Sequence, residues 1–113
     1  MSKYNSRKTV VQGITFDSKK ESYRFLELQM MQRAVREEDR VVDIQLQPEF
    51  ILIDKFEHQG KKYRGTKYRA DFRVVYADGR IEVEDVKGFK TAVYKLKKKM
   101  LLSRYSNINF KEV

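Results

Sequence analysis

The stretch from Tyr68 to Lys87 constrains the fold of this chain more than any other. Tyr68, Ala70, Phe72, Val74 and Tyr76 alternate with polar residues, the period-2 signature of a strand with one buried face. Asp78-Gly79 follows as a type I′ hairpin signal, and Ile81 to Lys87 then runs back antiparallel until Gly88 ends it. Successive strand side chains leave on opposite faces, so Ile81, Val83, Asp85 and Lys87 share one side. Glu84 leaves from the other, which predicts that it faces solvent or partners a lysine. A carboxylate and an ammonium that continue a buried aliphatic row are misplaced for a plain surface strand and well placed for a cleft.

The flanking segments supply the other elements. Residues 1–13 mix Ser, Asn, Lys and Gly without a period and read as a basic N-terminal arm or a first irregular strand. Asp17 or Ser18 is a helix N-cap, and the helix runs to about Val35, with Tyr23, Leu26, Met30 and Ala34 on its apolar face and Phe25, Leu28 and Val35 on an adjoining stripe. The charged stretch Arg36 to Arg40 ends it. A β-prone region runs from Val41 to Ile53, with Pro48 at an edge or bend because it lacks an amide donor. His58 to Arg64 is polar and contains Gly60, which fits a turn. A second helix covers Ala92 to Tyr105 with Val93, Leu96 and Met100 on one face, and Ile108 to Val113 forms a last strand. The order is helix, three or so strands, helix, strand: an α/β (α+β) fold with a central mixed sheet flanked by helices. At 113 residues the chain is long enough for one core, so residues 1–113 are read as a single domain without repeats or linkers.

Composition narrows the function classes. With no cysteine, a disulfide framework and a thiolate metal site are both excluded, and a reducing cytoplasm is the natural compartment. No apolar run is long enough to span a bilayer, and the start MSKYNSRKTV lacks the apolar stretch of a signal peptide, so no membrane is expected. The formal charge of +9 is uneven: residues 1–13 carry +3 and residues 86–113 carry +7, leaving the middle near neutral. Local cationic surplus suits a polyanion, because Lys and Arg that neutralise phosphates release counterions. The plainer reading is that lysines keep a small domain soluble.

The residues able to do chemistry gather at the hairpin. Mg²⁺ takes hard oxygen ligands, often one or two carboxylates with phosphate and water completing the shell. Asp71 and Asp85 supply that pair, and Lys87, one strand-step beyond, can hold the attacking water or neutralise charge on the phosphoryl oxygens. The plainer alternatives are a cross-strand ion pair for Asp85 and Lys87, and pairing of Asp71 with Arg69 or Arg73. Glu21 has two open readings. Ser18-Lys19-Lys20-Glu21 is a capping-box sequence, whereas Glu21, Phe25 and Leu28 at i, i+4 and i+7 put the carboxylate on an inward stripe. Gln47 is near a candidate strand, and a glutamine there is more often structural. His58, the single histidine, excludes His-rich zinc chemistry and is expected at the surface. Lys90 follows the site directly, and Lys95 and Lys98 lie opposite the Val93, Leu96, Met100 stripe, so these three, with Lys8 in the arm, are the expected phosphate contacts or else a solvated face. Lys97 lies beside the stripe and either reaches into the cleft or snorkels outward.

Glu21 on a helix, Asp71 within Tyr68-Arg69-Ala70-Asp71-Phe72, and Asp85-Val86-Lys87 on the paired strand together resemble the PD-(D/E)xK nuclease superfamily. The resemblance covers roughly residues 16–113, and the segments around Asp71 and Asp85 are similar to those of small bacteriophage endonucleases and Holliday-junction-resolvase-like proteins. Ala70 stands where the superfamily name places proline. What the resemblance implies is a restriction-endonuclease-like αβββαβ core, Asp71, Asp85, Lys87 and Glu21 as catalytic residues, and Asp71, Asp85 and Glu21 as ligands for Mg²⁺ or Mn²⁺. It further implies DNA as partner, branched or junction DNA in phage recombination or packaging, a homodimer that cuts two strands, the host cytoplasm if phage-encoded, and no other small-molecule cofactor. The alternative is a non-catalytic nucleic-acid-binding protein on the same fold. Asp85 beside Lys87 argues against it, since a carboxylate near phosphate repels it unless a metal intervenes.

Overall fold

A computed structural model of the protein describes residues 8–86, 88 and 90–113. In chain order its elements are β1 (Thr9–Val11), β2 (Ile14–Phe16), α1 (Lys19–Met31), β3 (Val41–Leu46), β4 (Glu49–Ile53), β5 (Phe56–His58), β6 (Lys61–Tyr63), β7 (Thr66–Arg69), β8 (Phe72–Tyr76), β9 (Ile81–Asp85), α2 (Ala92–Arg104) and β10 (Phe110–Glu112). The protein is α+β. Its central sheet has the order β10-β9-β8-β3, with β3, β8 and β9 antiparallel and β10 parallel to β9. Between β3 and β8 the chain makes an excursion in which β4 pairs β7 and β5 pairs β6. Without that excursion and the β1–β2 hairpin the order is α-β-β-β-α-β, as the periodicity predicts. No helix among the described residues is long and apolar enough to cross a membrane.

The N-terminal segment is not an arm over its described part. Residues 9–16 form the β1–β2 hairpin through Gln12 and Gly13, both at positive φ (53° and 77°), as a type I′ turn requires. Gln59 and Gly60 repeat the device at 49° and 78° between β5 and β6. The expected hairpin at Asp78-Gly79 forms, but its turn is different. Only Gly79 has positive φ (93°), the Gly79 amide donates to Tyr76 O at 2.9 Å, and the Tyr76 amide donates to Arg80 O at 2.9 Å, which makes a three-residue loop closed by a left-handed glycine. Asp78 stays right-handed because its Oδ1 accepts the Arg80 amide at 2.9 Å.

α1 starts at the predicted cap, with Ser18 Oγ accepting the Glu21 amide at 3.1 Å, and ends at Met31, short of Val35. Its buried residues are Glu21, Ser22, Phe25 and Leu28, whereas Tyr23, Met30 and Val35 are exposed. Of the two stripes in the sequence, the sheet receives the Phe25–Leu28 one. Phe25 stacks on Phe72 at 6.4 Å between centroids and tilts on Phe16 at 5.1 Å, in a core completed by Val41, Val74 and Tyr76.

The single strand expected over Tyr68–Tyr76 is two strands. Ala70 donates to Pro48 O at 3.0 Å, Gln47 donates to Asp71 O at 2.9 Å, and Asp71 donates to Glu84 O at 3.0 Å, so the chain changes partners at Ala70–Asp71. Every predicted residue of the row is buried, but Tyr68 and Ala70 pack with Leu52, Val83 and Leu101 on the α2 side, while Phe72, Val74 and Tyr76 pack on the α1 side. Pro48 sits at the matching bend between β3 and β4.

α2 is capped by Thr91, whose hydroxyl accepts the Tyr94 amide at 3.0 Å. Its predicted apolar face is corrected: Val93 and Leu96 are exposed, and the helix instead buries Leu101, with Tyr94, Met100 and Tyr105 packed beside it. The crossover from β9 to the parallel β10 lays α2 against β4 and β7, where Phe50, Leu52 and Tyr68 meet that second stripe.

Candidate active site

Asp71 stands where the chain leaves β7 for β8, and its Oδ2 accepts the Val86 amide at 2.7 Å, which ties the start of β8 to the end of β9. Asp85 is the last residue of β9 and is fully buried. Its Oδ2 accepts the hydroxyl of Tyr68 from β7, and its carbonyl accepts the Val113 amide at 2.9 Å. A bond from a phenol to a carboxylate orients the acid. The two carboxylates act on Tyr94 of α2 as well: burial, its bond to Glu112, and the charges of Asp85, Glu112 and Asp71 hold that phenol well above its ordinary range.

Glu21 of α1 comes near Asp71 but not Asp85. With Asp71, Gln47, Phe16, Ile14 and Leu46 it lines a cavity of about 80 Å³, and it is itself buried. Its backbone amide serves the Ser18 cap while the residue is buried and lines the cavity, so cap and inward stripe are compatible. Gln47, exposed and at a φ of 50°, lines the same cavity. Lys87 lies outside the described residues. Among the described residues no three acidic or histidine groups converge as a metal-holding cluster. Mg²⁺ commonly takes one or two carboxylates and keeps several of its waters, and Asp71 and Asp85 carry the hard oxygen donors such an ion uses.

Glu84 corrects the expectation of a solvent-facing residue. It does leave on the face opposite Asp85, but that face lies under α1, where Glu84 is fully buried against Arg24. Arg24 also pairs with Glu27. Sequence reasoning missed Arg24, for which the signal was its position one helical turn after Glu21 on the stripe that leads to Leu28. It also read Tyr68 only as a core residue, although a phenol in a buried row needs a polar partner.

The basic residues divide into two kinds. Lys90 and Lys98 are tied to one carboxylate, with their Nζ atoms 3.1 and 3.3 Å from Glu112 Oε1, while Lys95 and Lys8 are exposed. Tyr94 Oη donates to Glu112 Oε2 at 2.5 Å, and this bond, ahead of the lysines, lowers the Glu112 pKa to about 2. Lys97 turns to a different cleft from the one expected: its Nζ donates to Lys67 O at 3.4 Å, and with Lys67, Arg69, Tyr68, Thr91 and Glu49 it lines a cleft of about 460 Å³ that includes neither Asp71 nor Asp85. His58 is on the surface, on β5 rather than in the turn.

No curated protein and no solved structure matches the chain. The match to a described family spans residues 1–113, and the chain belongs to that family, DUF1064, a family of proteins of unknown function.

Proposed function

We propose that the protein is a divalent-metal-dependent endonuclease that hydrolyses phosphodiester bonds in DNA through a PD-(D/E)xK-type site. The observation that carries this is the hold of the Val86 amide on the Asp71 carboxylate, which ties Asp71 to the end of β9 next to Asp85, with Glu21 of α1 lining the cavity beside Asp71. Asp71 and Asp85 would hold Mg²⁺ or Mn²⁺, and such an ion supplies Lewis-acid polarisation of a phosphoryl oxygen and acidifies a water. Tyr68 orients Asp85, the Val86 amide orients Asp71, and the cavity between Glu21 and Asp71 has room for water. The proposal gives the Lys87 ammonium the task of neutralising charge on the phosphoryl oxygens. Branched or junction DNA as substrate, a homodimer, and a phage-infected host cytoplasm rest on the resemblance of sequence alone.

The test is nicking of supercoiled plasmid in Mg²⁺ or Mn²⁺, with gel shifts in Ca²⁺ and thermal melts in parallel. Asp85→Asn should abolish cutting and leave binding equal or tighter, and Lys87→Ala should slow cutting by about 10²-fold or more. Both variants cutting at the wild-type rate while folded would overturn the reading. The second reading, a binding protein without catalysis, rests on the exposed cations Lys95 and Lys8. It predicts salt-sensitive DNA binding and no cleavage by the wild type in either metal.

A further inference from the structure

The outer half of the excursion, β5–β6, is exposed at every residue. Its register pairs Phe56 with Tyr63, Glu57 with Lys62, and His58 with Lys61. Strand alternation therefore puts Phe56, His58, Lys61 and Tyr63 on one face and sends Glu57 to the other. The Phe56 and Tyr63 rings are stacked, 4.9 Å between centroids and 6° from parallel, and Lys61 Nζ lies 5.2 Å from the centre of the Tyr63 ring. Phe56 is 49% exposed and Tyr63 39%. Among the described residues neither His58 nor Lys61 meets a carboxylate.

An aromatic pair of this kind also helps a two-stranded ribbon hold together. That role does not account for the surface both rings leave open, nor for a face whose polar members are an imidazole and an ammonium with no anion. The ribbon leaves the body of the fold at one narrow crossing. A Cβ on Gly65 would lie 2.8 Å from Ile53 O, so only glycine permits the close crossing at its base. Past that crossing β6 continues into β7, which carries Tyr68, the partner of Asp85. At about 3.3 Å per residue of extended chain, Tyr63 lies within roughly 16 Å of Tyr68.

We infer that the Phe56, His58, Lys61, Tyr63 face of β5–β6 is a stacking platform for unpaired DNA bases, with Lys61 and His58 facing the neighbouring phosphates. Base faces are open to an aromatic platform in single strands, gaps and branch points and are covered inside a duplex. The inference takes DNA as substrate class from the proposed function and adds which part of a DNA is recognised, so its test reads binding and leaves cleavage aside.

The experiment measures, in Ca²⁺, the affinity of the whole chain for a short single strand carrying 2-aminopurine and for a blunt duplex of the same length. Wild type should bind the single strand and quench its fluorescence. Phe56→Ala with Tyr63→Ala should weaken single-strand binding about tenfold or more and abolish the quenching, leaving the duplex unchanged, while Tyr63→Phe keeps both properties. Lys61→Glu, which leaves the rings in place, should also weaken single-strand binding. The inference is overturned if the folded double variant and Lys61→Glu bind the single strand like wild type, if duplex and single strand weaken equally, if the substitutions dissociate a dimer instead, or if wild type binds no DNA. A protein that quenches yet never nicks plasmid disproves the nuclease reading and leaves the platform standing. One that nicks through Asp85 without quenching does the reverse.

Discussion

Arg24 on α1 holds Glu84 on β9 through two parallel hydrogen bonds, Nε to Oε1 at 2.8 Å and Nη2 to Oε2 at 2.6 Å. The bonds to Glu84 raise the Arg24 pKa further above its ordinary value despite its burial. The backbone carbonyl of Glu84 also accepts the Asp71 amide, so one residue joins helix, strand and the bend that carries a proposed metal ligand.

Breaking this pair from one side should therefore cost stability. Glu84→Gln leaves the largely enclosed Arg24 guanidinium with only the exposed Glu27 as counter-charge, at a cost of about 3 kcal/mol. Replacing both residues with Leu and Met should recover much of that loss, because no uncompensated charge is left behind. Urea midpoints of the three proteins decide the matter, and a Glu84→Gln midpoint equal to wild type would show that the pair contributes nothing.

The two roles on the first turn of α1 should separate by mutation. Ser18→Ala removes the acceptor of the Glu21 amide and should cost about 1 kcal/mol of stability without touching the cavity carboxylate. Glu21→Gln keeps the amide and the cap, so its melting temperature should stay near wild type while plasmid nicking falls. Full activity in folded Glu21→Gln would remove Glu21 from the site.

Glu112 should confer acid sensitivity on the α2–β10 contact. Its folded pKa, lowered to about 2 chiefly by the Tyr94 hydroxyl, lies below the ordinary 4.5, so the contribution is fully present above about pH 4.5 and lost as pH falls towards 2. Thermal melts of wild type and Glu112→Gln should thus differ at neutral pH and converge near pH 2. A gap that stays constant across this range would contradict the assignment.

The same carboxylate divides the expected phosphate contacts. Lys95→Ala should reduce the slope of log affinity against log salt by about 0.9, the value for one phosphate contact. Glu112→Gln releases Lys90 and Lys98 from their shared partner, so DNA binding should tighten and its salt dependence steepen. If neither variant changes the slope, this side of α2 does not touch DNA.

Local patterns in the sequence determined what short-range physics can decide. The Ser18 cap, the β8–β9 hairpin and the Pro48 bend were legible because each depends on residues within a few positions of one another. The pairing of Asp71 with the Asp85 strand followed from hairpin spacing and period-2 alternation. Tertiary structure alone decided which of two apolar stripes each helix buries, since α1 and α2 both carry enough apolar residues for either choice and only the opposing surface selects one. It also decided the partner switch at Ala70–Asp71, because that depends on β4 and β9 competing for one strand. Glu84 is the clearest case: alternation gave its face correctly, but whether that face meets water or a guanidinium depended on Arg24, 60 residues away and brought there by the packing of α1.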